Sequence, residues 1–232
     1  MVDGQQHSAK VLLRHKSGYR IPVSVRTIPA YSKGKIVGAV EVFTKKSAMS
    51  YDDDFITSLT NIALKDPLTS LPNRSYLTNQ IQYRLQEVAW YGKEFCLAVA
   101  DIDDMRLFNN YYRTSTGDVA LQSIASSFKF NIGEGGKDVI GRWGDDEFVG
   151  LFELTPNMNP LSIAEYVRVL ILRSGVMISG QYLSLSASVG LTTAQRGETT
   201  ESLVGRAMDL MYQSKNKGKN CCSVYVPASV SA

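Results

Sequence analysis

The sequence predicts a mixed α/β (α+β) protein: a central sheet flanked by helices, preceded by a small antiparallel β fragment. Three observations carry that expectation. Residues 8 to 44 alternate apolar and polar side chains between short turn signals. From Asp66 onward, segments with helical spacing alternate with strand-like runs, the order of a layered sheet with helices packed on it. Phe95 to Asp101 is a continuous apolar run, the pattern of a buried central strand.

Each element follows from local pattern. Lys10 to His15, Tyr19 to Ile28 and Lys35 to Phe43 read as strands, with turns at Ser17-Gly18 and Ser32-Lys33-Gly34. Strands of this kind with no helix over them are marginal alone, so something else packs on them. Ala48 to Leu64 is helical in pattern, with Phe55, Leu59, Ile62 and Ala63 on one face and Asp52, Asp53 and Asp54 early, where a helix N-terminus favours negative charge. It reads as a connector between modules. Ser75 to Trp90 is an amphipathic helix. Asp104 to Tyr112 and Val119 to Phe130 read as helices separated by a turn at Gly117. Val139 to Arg142 and Phe148 to Phe152 form a hairpin. Ser162 to Arg173 is a helix, Leu183 to Leu191 alternates as one strand, Glu201 to Lys215 is the last helix and Cys222 to Val226 a closing strand. The expected division is residues 1–47, 48–65 and 66–228.

Bulk properties narrow the function classes. The 232 residues carry 25 basic and 22 acidic side chains, a net charge of +3. That balance gives no argument for nucleic acid or a membrane surface. No stretch approaches the ~18 apolar residues of a membrane span, and the N-terminal residues lack the apolar run of a signal peptide. Cys96, Cys221 and Cys222 form no even framework and show no zinc spacing; Cys96 sits in an apolar run and is expected buried. The expected compartment is the reducing cytoplasm.

Three groups of residues point to chemistry. Asp101 closes a buried strand, where a carboxylate is costly without a partner and where ligand sites of α/β proteins commonly lie. It is read as a metal ligand, and Asp103 as a helix N-cap. Gly144-Asp145-Asp146-Glu147 places consecutive carboxylates at a hairpin tip. A polar turn alone accounts for Gly and Asp there; together with Asp101 the cluster makes an oxygen-rich site for Mg²⁺ near phosphates. Lys215, Lys217 and Lys219 with Gly218 follow the last helix, either as a solvated basic end or as a phosphate clamp.

These residues resemble a known family. Asp66-Pro67-Leu68-Thr69-Ser70-Leu71-Pro72-Asn73-Arg74 is similar to the opening signature of GGDEF domains, the diguanylate cyclases. Asp101-Ile102-Asp103, Asn109 and Gly117-Asp118 match the next block; Gly144-Asp145-Asp146-Glu147-Phe148 falls at the name-giving motif; Ser186-Ala187-Ser188-Val189-Gly190 matches the later strand; Ala207, Tyr212, Lys215, Gly218 and Asn220 match the closing helix. Residues 8 to 44 more weakly resemble the last strands of a PAS sensor domain, through Lys16-Ser17-Gly18, Ile21-Pro22-Val23 and Gly38-Ala39-Val40.

The resemblance implies a bacterial signalling enzyme with a nucleotidyl-cyclase-like sheet, joining two GTP molecules into cyclic di-GMP and releasing pyrophosphate. The implied cofactor is Mg²⁺ (or Mn²⁺), and the partners are GTP and a second copy of the domain, since the family closes its site as a homodimer. It implies Asp101, Ile102 and Asp146 as metal ligands, the second through its backbone. Asp146 and Glu147 are the implied catalytic residues, Asp146 taking the proton of the attacking 3′-hydroxyl. Asn109 and Asp118 are implied to bind guanine, whose N1 and N2 donors suit a carboxylate. Arg106, Gly144, Lys215 and Lys219 are implied to face the phosphates.

Several positions depart from the family pattern. Asp145 replaces the motif's second glycine, adding bulk and a negative charge beside the expected phosphates. At ~4 Å one unit charge costs ~1 kcal/mol in water and ~4 kcal/mol at an effective dielectric of 20, a severalfold to roughly thousandfold loss in triphosphate affinity. Its backbone is one that tolerates the left-handed region better than most. Met105, Asn110, Arg113 and Thr114 replace an aromatic, Asp, Gly and His. Where the family's product-inhibition motif has Arg and Asp, this chain has Gly135 and Asp138, so no feedback site is expected. Three functional readings follow: a cyclase, slowed by Asp145; a degenerate GTP-binding regulator; and a dimerisation relay without nucleotide.

Overall fold

The computed structural model describes residues 7–14, 20–32, 35–45, 64–132 and 137–226. The expected connector helix at Ala48 to Leu64 and the expected inhibitory-site position Gly135 lie almost wholly or wholly outside them. The chain divides into two compact units, Met1–Thr60 and Asn61–Ala232.

The first unit is an antiparallel sheet in the order β1 (His7–Arg14), β2 (Arg20–Ser32), β3 (Lys35–Lys45). Its register pairs Val11 with Val23 and Val25 with Phe43, and it slips between Ala30 and Tyr31. Val23 is buried, whereas Val37, Val40 and Val42 are exposed. On β2, Val23 is buried and Val25, Thr27 and Pro29, at every second position, are half-buried.

The second unit carries the site. Its helices are α1 (Arg74–Tyr91), α2 (Met105–Tyr112), α3 (Thr114–Ile132), α4 (Pro160–Leu172) and α5 (Thr200–Asn216). Its main sheet has the order β10 (Cys222–Tyr225), β9 (Ala187–Thr193), β4 (Phe95–Ile102), β6 (Glu147–Glu153), β5 (Val139–Arg142). β10 runs parallel to β9; the other pairs are antiparallel. β4 is buried along its whole length because both sheet faces are covered. Cys96, Ala98, Ala100 and Ile102 pack towards α3 and α4, with Ile124, Phe128, Val167 and Ile171. Phe95, Leu97 and Val99 pack towards α1 and α5, with Leu77, Ile81, Leu203 and Met211. The period of two thus assigns odd-numbered residues of β4 to the α5 face.

The helix starts have local causes. Asn73 caps α1 by accepting from the Tyr76 N–H, Asn159 caps α4 ahead of Pro160, and Thr199 caps α5 by accepting from the Ser202 N–H.

Three element boundaries differ from expectation. The break between α2 and α3 lies at Arg113, not Gly117, which is buried inside α3. Gly117 is small for a packing reason: a Cβ there would overlap the Asn109 side chain. Leu183 to Leu191 is not one strand. β8 (Gln181–Ser184) pairs with β7 (Gly175–Ile178) in a separate hairpin, and only from Ala187 does the chain join the main sheet. Asp103 is not the cap of α2. Asp104 holds that position with φ 57°, ψ 24° and makes no side-chain capping bond, while Asp103 is buried in contacts of its own.

Candidate active site

The ends of β4 and β6 bring the acidic residues together. Asp101 and Glu147 are direct cross-strand partners in the β4–β6 ladder. Both lie at odd positions, on the face covered by α5, so two carboxylates project side by side. Like charges placed this way destabilise a sheet unless something cancels them. The hairpin tip is tied down beside them: the Ile102 N–H donates to the Asp146 carbonyl at 3.1 Å, and the Trp143 N–H donates to the Glu147 carbonyl at 2.8 Å.

α5 supplies one countercharge. Lys215, in its last turn, donates from Nζ to Asp101 Oδ1 at 2.6 Å. Burial pushes the Asp101 carboxyl up, the lysine pulls it back, and the Asp146 and Asp103 charges raise it again; it ends above the ordinary range. Glu147 is also raised, by burial first and then by Asp101 and Asp146. Burial alone lowers Lys215, but its bond to Asp101 and the Asp146 and Asp103 charges reverse this and raise it. Both partners of the ion pair therefore move up, Asp101 chiefly through burial and Lys215 through the carboxylates around it.

These carboxylates fit a hard divalent cation. The donors are oxygens, and two carboxyls hold raised pKa values that a cation would lower. Among the described residues no three carboxylate, His or Cys side chains form a closed cage. Mg²⁺ is commonly held by one or two carboxylates, with phosphate oxygens and water filling its octahedron, so an open site suits it.

The hairpin tip is braced from outside by residues to which sequence reasoning gave no role. Arg142 donates from Nε to the Gly144 carbonyl at 3.1 Å, from Nη2 to the Asp145 carbonyl at 2.6 Å, and from Nη1 to Asp66 Oδ1 at 3.1 Å. Asp66 also accepts from the Thr69 N–H at 2.8 Å and hydroxyl at 2.6 Å. Burial raises the Asp66 carboxyl, but the Thr69 and Arg142 contacts outweigh it and leave it below the ordinary range. The D-x-x-T spacing was a local turn signal; the Arg142 contact spans 76 positions and left no local trace. Arg74, at the start of α1, stacks 4.7 Å from the centre of the Trp143 ring.

The other expected residues separate into groups. Asn109 lies on α2 beside Gly117 of α3, and its Oδ1 is buried without a partner. Asp118 is half-buried one residue further along α3, and Arg106 is exposed on the first turn of α2. Lys219 donates to Asp104 Oδ1 at 2.6 Å instead of standing free. Asp145 is exposed, and its φ is not positive, so the replaced glycine leaves no backbone strain. A Cβ on Gly144 would stand 2.7 Å from Glu147 Oε2. Asp138, away from this cluster, accepts from the Glu153 N–H at 2.9 Å.

Known proteins are similar to this chain in sequence and fold. The sequence profile of the family described as "Diguanylate cyclase, GGDEF domain" matches residues 63–221. Diguanylate cyclase DgcP of Pseudomonas aeruginosa is 31% identical over 158 residues, covering 68% of this chain and 23% of that protein. The Caulobacter vibrioides response regulator PleD is 30% identical over 162 residues, 68% of this chain and 35% of that protein. The chain thus spans well under half the length of these relatives. The crystal structure of diguanylate cyclase SiaD from Pseudomonas aeruginosa, in complex with its activator SiaC, superposes with a TM-score of 0.67 at 30% identity, covering 74% of this chain and 65% of that one. With the profile spanning more than half of the sequence and the sheet order and acidic hairpin in place, the chain belongs to the GGDEF-domain family of diguanylate cyclases.

Proposed function

We propose that residues 66–228 act as a diguanylate cyclase domain in bacterial cyclic di-GMP signalling, converting two GTP to cyclic di-GMP and two pyrophosphates. The observation that carries this reading is the Asp101–Glu147 carboxylate pair on adjacent central strands, with Lys215 bonded to Asp101. Such surplus negative charge beside a lysine is unfavourable for stability and useful for holding a cation and a triphosphate.

In this reading Asp101, Asp146 and the Ile102 backbone hold Mg²⁺ or Mn²⁺, which neutralises charge on the triphosphate as the α-phosphate is attacked. Asp146 accepts the proton of the attacking 3′-hydroxyl and Glu147 supports the metal ligands. Lys215, which is bonded to Asp101, would face the phosphates together with Lys219 and Arg106. The unpartnered Asn109 Oδ1 and the Asp118 carboxylate accept from guanine N–H groups, and adenine lacks the matching donors. Each domain binds one GTP, so product forms only when two copies face each other. Residues 1–47 serve as the C-terminal part of a PAS sensor, joined through a helical connector at 48–65, and the module works in the cytoplasm; among the described residues no helix is long and apolar enough to cross a membrane. With Gly135 in place of arginine, product feedback through that position is absent.

Asp145 favours a second reading, a GTP-binding regulator without turnover, because its exposed carboxylate adds charge at the tip where phosphates are expected. One experiment separates the two: the purified chain is incubated with GTP and Mg²⁺, cyclic di-GMP is detected by chromatography, and GTP binding is measured by calorimetry on the same sample. Product above background supports the cyclase. Binding without product supports the regulator, and neither leaves a relay.

A further inference from the structure

Asp103 is buried at the junction of β4 and α2, and it has no role in the chemistry above. Its carboxylate accepts three hydrogen bonds. Ser188 Oγ donates to Oδ1 at 2.7 Å; Ser186 Oγ at 2.7 Å and the Asn220 N–H at 3.0 Å donate to Oδ2. Its own N–H donates to the Ser186 carbonyl at 2.8 Å. A buried carboxylate whose hydrogen bonds all come from neutral donors is held for its geometry, because each donor it satisfies would otherwise be left unpaired.

The third donor links Asp103 to the turn that follows α5. Gly218, Lys219 and Asn220 have consecutive positive φ values of 113°, 65° and 44°. For Lys219 this backbone is strained and persists only where its surroundings enforce it, whereas Asn220 is a residue type that enters the left-handed region more readily. Three contacts enforce it. Asp103 takes the Asn220 N–H, Arg168 Nη1 of α4 donates to Asn220 Oδ1 at 2.7 Å, and the Lys219 N–H donates to the Ser214 carbonyl at 3.2 Å. The result brings Lys219 Nζ to Asp104 Oδ1, one residue beyond Asp103.

We propose that Asp103 and Asn220 form a positioning bracket. It fastens the left-handed turn to the end of the strand bearing Asp101, and so fixes Lys219 at the rim of the nucleotide site. Neither residue touches substrate. Asp103 acts through Asn220, and Asn220 through the backbone of Lys219. The proposal rests on the cyclase reading for the identity of the nucleotide, but its readout is GTP affinity rather than turnover.

The test is a double-mutant cycle on the full chain. Asp103→Ala removes both carboxylate oxygens, so the Asn220 N–H and the Ser186 and Ser188 hydroxyls lose this acceptor. Calorimetry with GTP and Mg²⁺, or KM where product forms, is expected to show affinity weakened roughly tenfold with kcat within about twofold. In a Lys219→Met background the same substitution is expected to have no further effect. A general loss of structure would instead weaken both backgrounds equally. If Asp103→Ala fails to fold, Asn220→Ala, which keeps the N–H to Asp103 but loses the Arg168 contact and tolerates positive φ less well, is expected to weaken affinity in the same direction. Asn220→Gly is expected to recover part of it, because glycine accepts positive φ without strain. Unchanged affinity in a folded variant, additive effects with Lys219→Met, or a wild-type chain that binds no GTP overturns the proposal. GTP binding without cyclic di-GMP would overturn only the cyclase reading, and product formation with unaltered affinity in Asp103→Ala would overturn only the bracket.

Discussion

Asp145 poses two separable questions at the residue scale, bulk and charge. Because its φ is not positive, a glycine there relieves no strain, so the effect of substitution isolates the side chain. Asp145→Gly and Asp145→Asn are both expected to lower KM for GTP, by severalfold to roughly a thousandfold across the dielectric range that applies at ~4 Å. Gain with Gly but not Asn would assign the penalty to bulk, and gain with neither would show that the carboxylate is accommodated. Glu147 makes a prediction about pH. Its carboxyl is raised by burial and by two neighbouring acids, so its folded state favours the proton. Stability attached to it is fully present below the ordinary glutamate range and is lost as pH rises through the raised value. Glu147→Gln removes that loss. At neutral pH the metal-free variant should be more stable than wild type by up to about 1 kcal/mol, the difference closing in acid, while product formation falls. Denaturant melts at several pH values check the sign; a difference that grows in acid would contradict it.

Elements show where local signals were sufficient. Asn73, Asn159 and Thr199 each begin a helix by accepting a backbone N–H, which is why those starts were legible to within a residue or two. The α2–α3 break was misplaced because glycine is the usual residue for positive φ, and here Arg113 adopts φ 76°, ψ 154° instead. That conformation is close to glycine-only and costs on the order of 1–3 kcal/mol. Arg113→Gly should therefore stabilise the domain by about 1 kcal/mol after the flexibility of glycine in the unfolded chain is subtracted. Chemical denaturation measures it, and destabilisation would mean that contacts of the arginine side chain outweigh the strain. The Leu183 to Leu191 alternation was real, but alternation does not specify partners. Gln181–Ser184 pairs with β7 and Ala187–Thr193 with β4, a choice made by non-local hydrogen bonds.

For the whole molecule, the site depends on how closely α5 lies on the sheet. Gly190 on β9 faces the backbone of α5, and an added Cβ would overlap the Ala207 carbonyl and the Met211 N–H. Gly190→Ala should force the helix outward, costing about 1–3 kcal/mol and moving Lys215 off Asp101. Denaturation midpoint and GTP affinity should fall together; a stable variant with normal affinity would show that the helix can shift without the lysine. The sequence by itself determined the mixed α/β class, the buried central strand and the approximate spans of the helices, and it marked candidate site residues, because apolar period, turn chemistry and motif spacing are local. Only the tertiary structure set Asp101 opposite Glu147, joined Lys215 to Asp101 across 114 positions and Arg142 to Asp66 across 76, and turned Asp103 from an expected cap into a buried acceptor. Those relations depend on strand register and on which face each helix covers, and neither is encoded in the residues next to them.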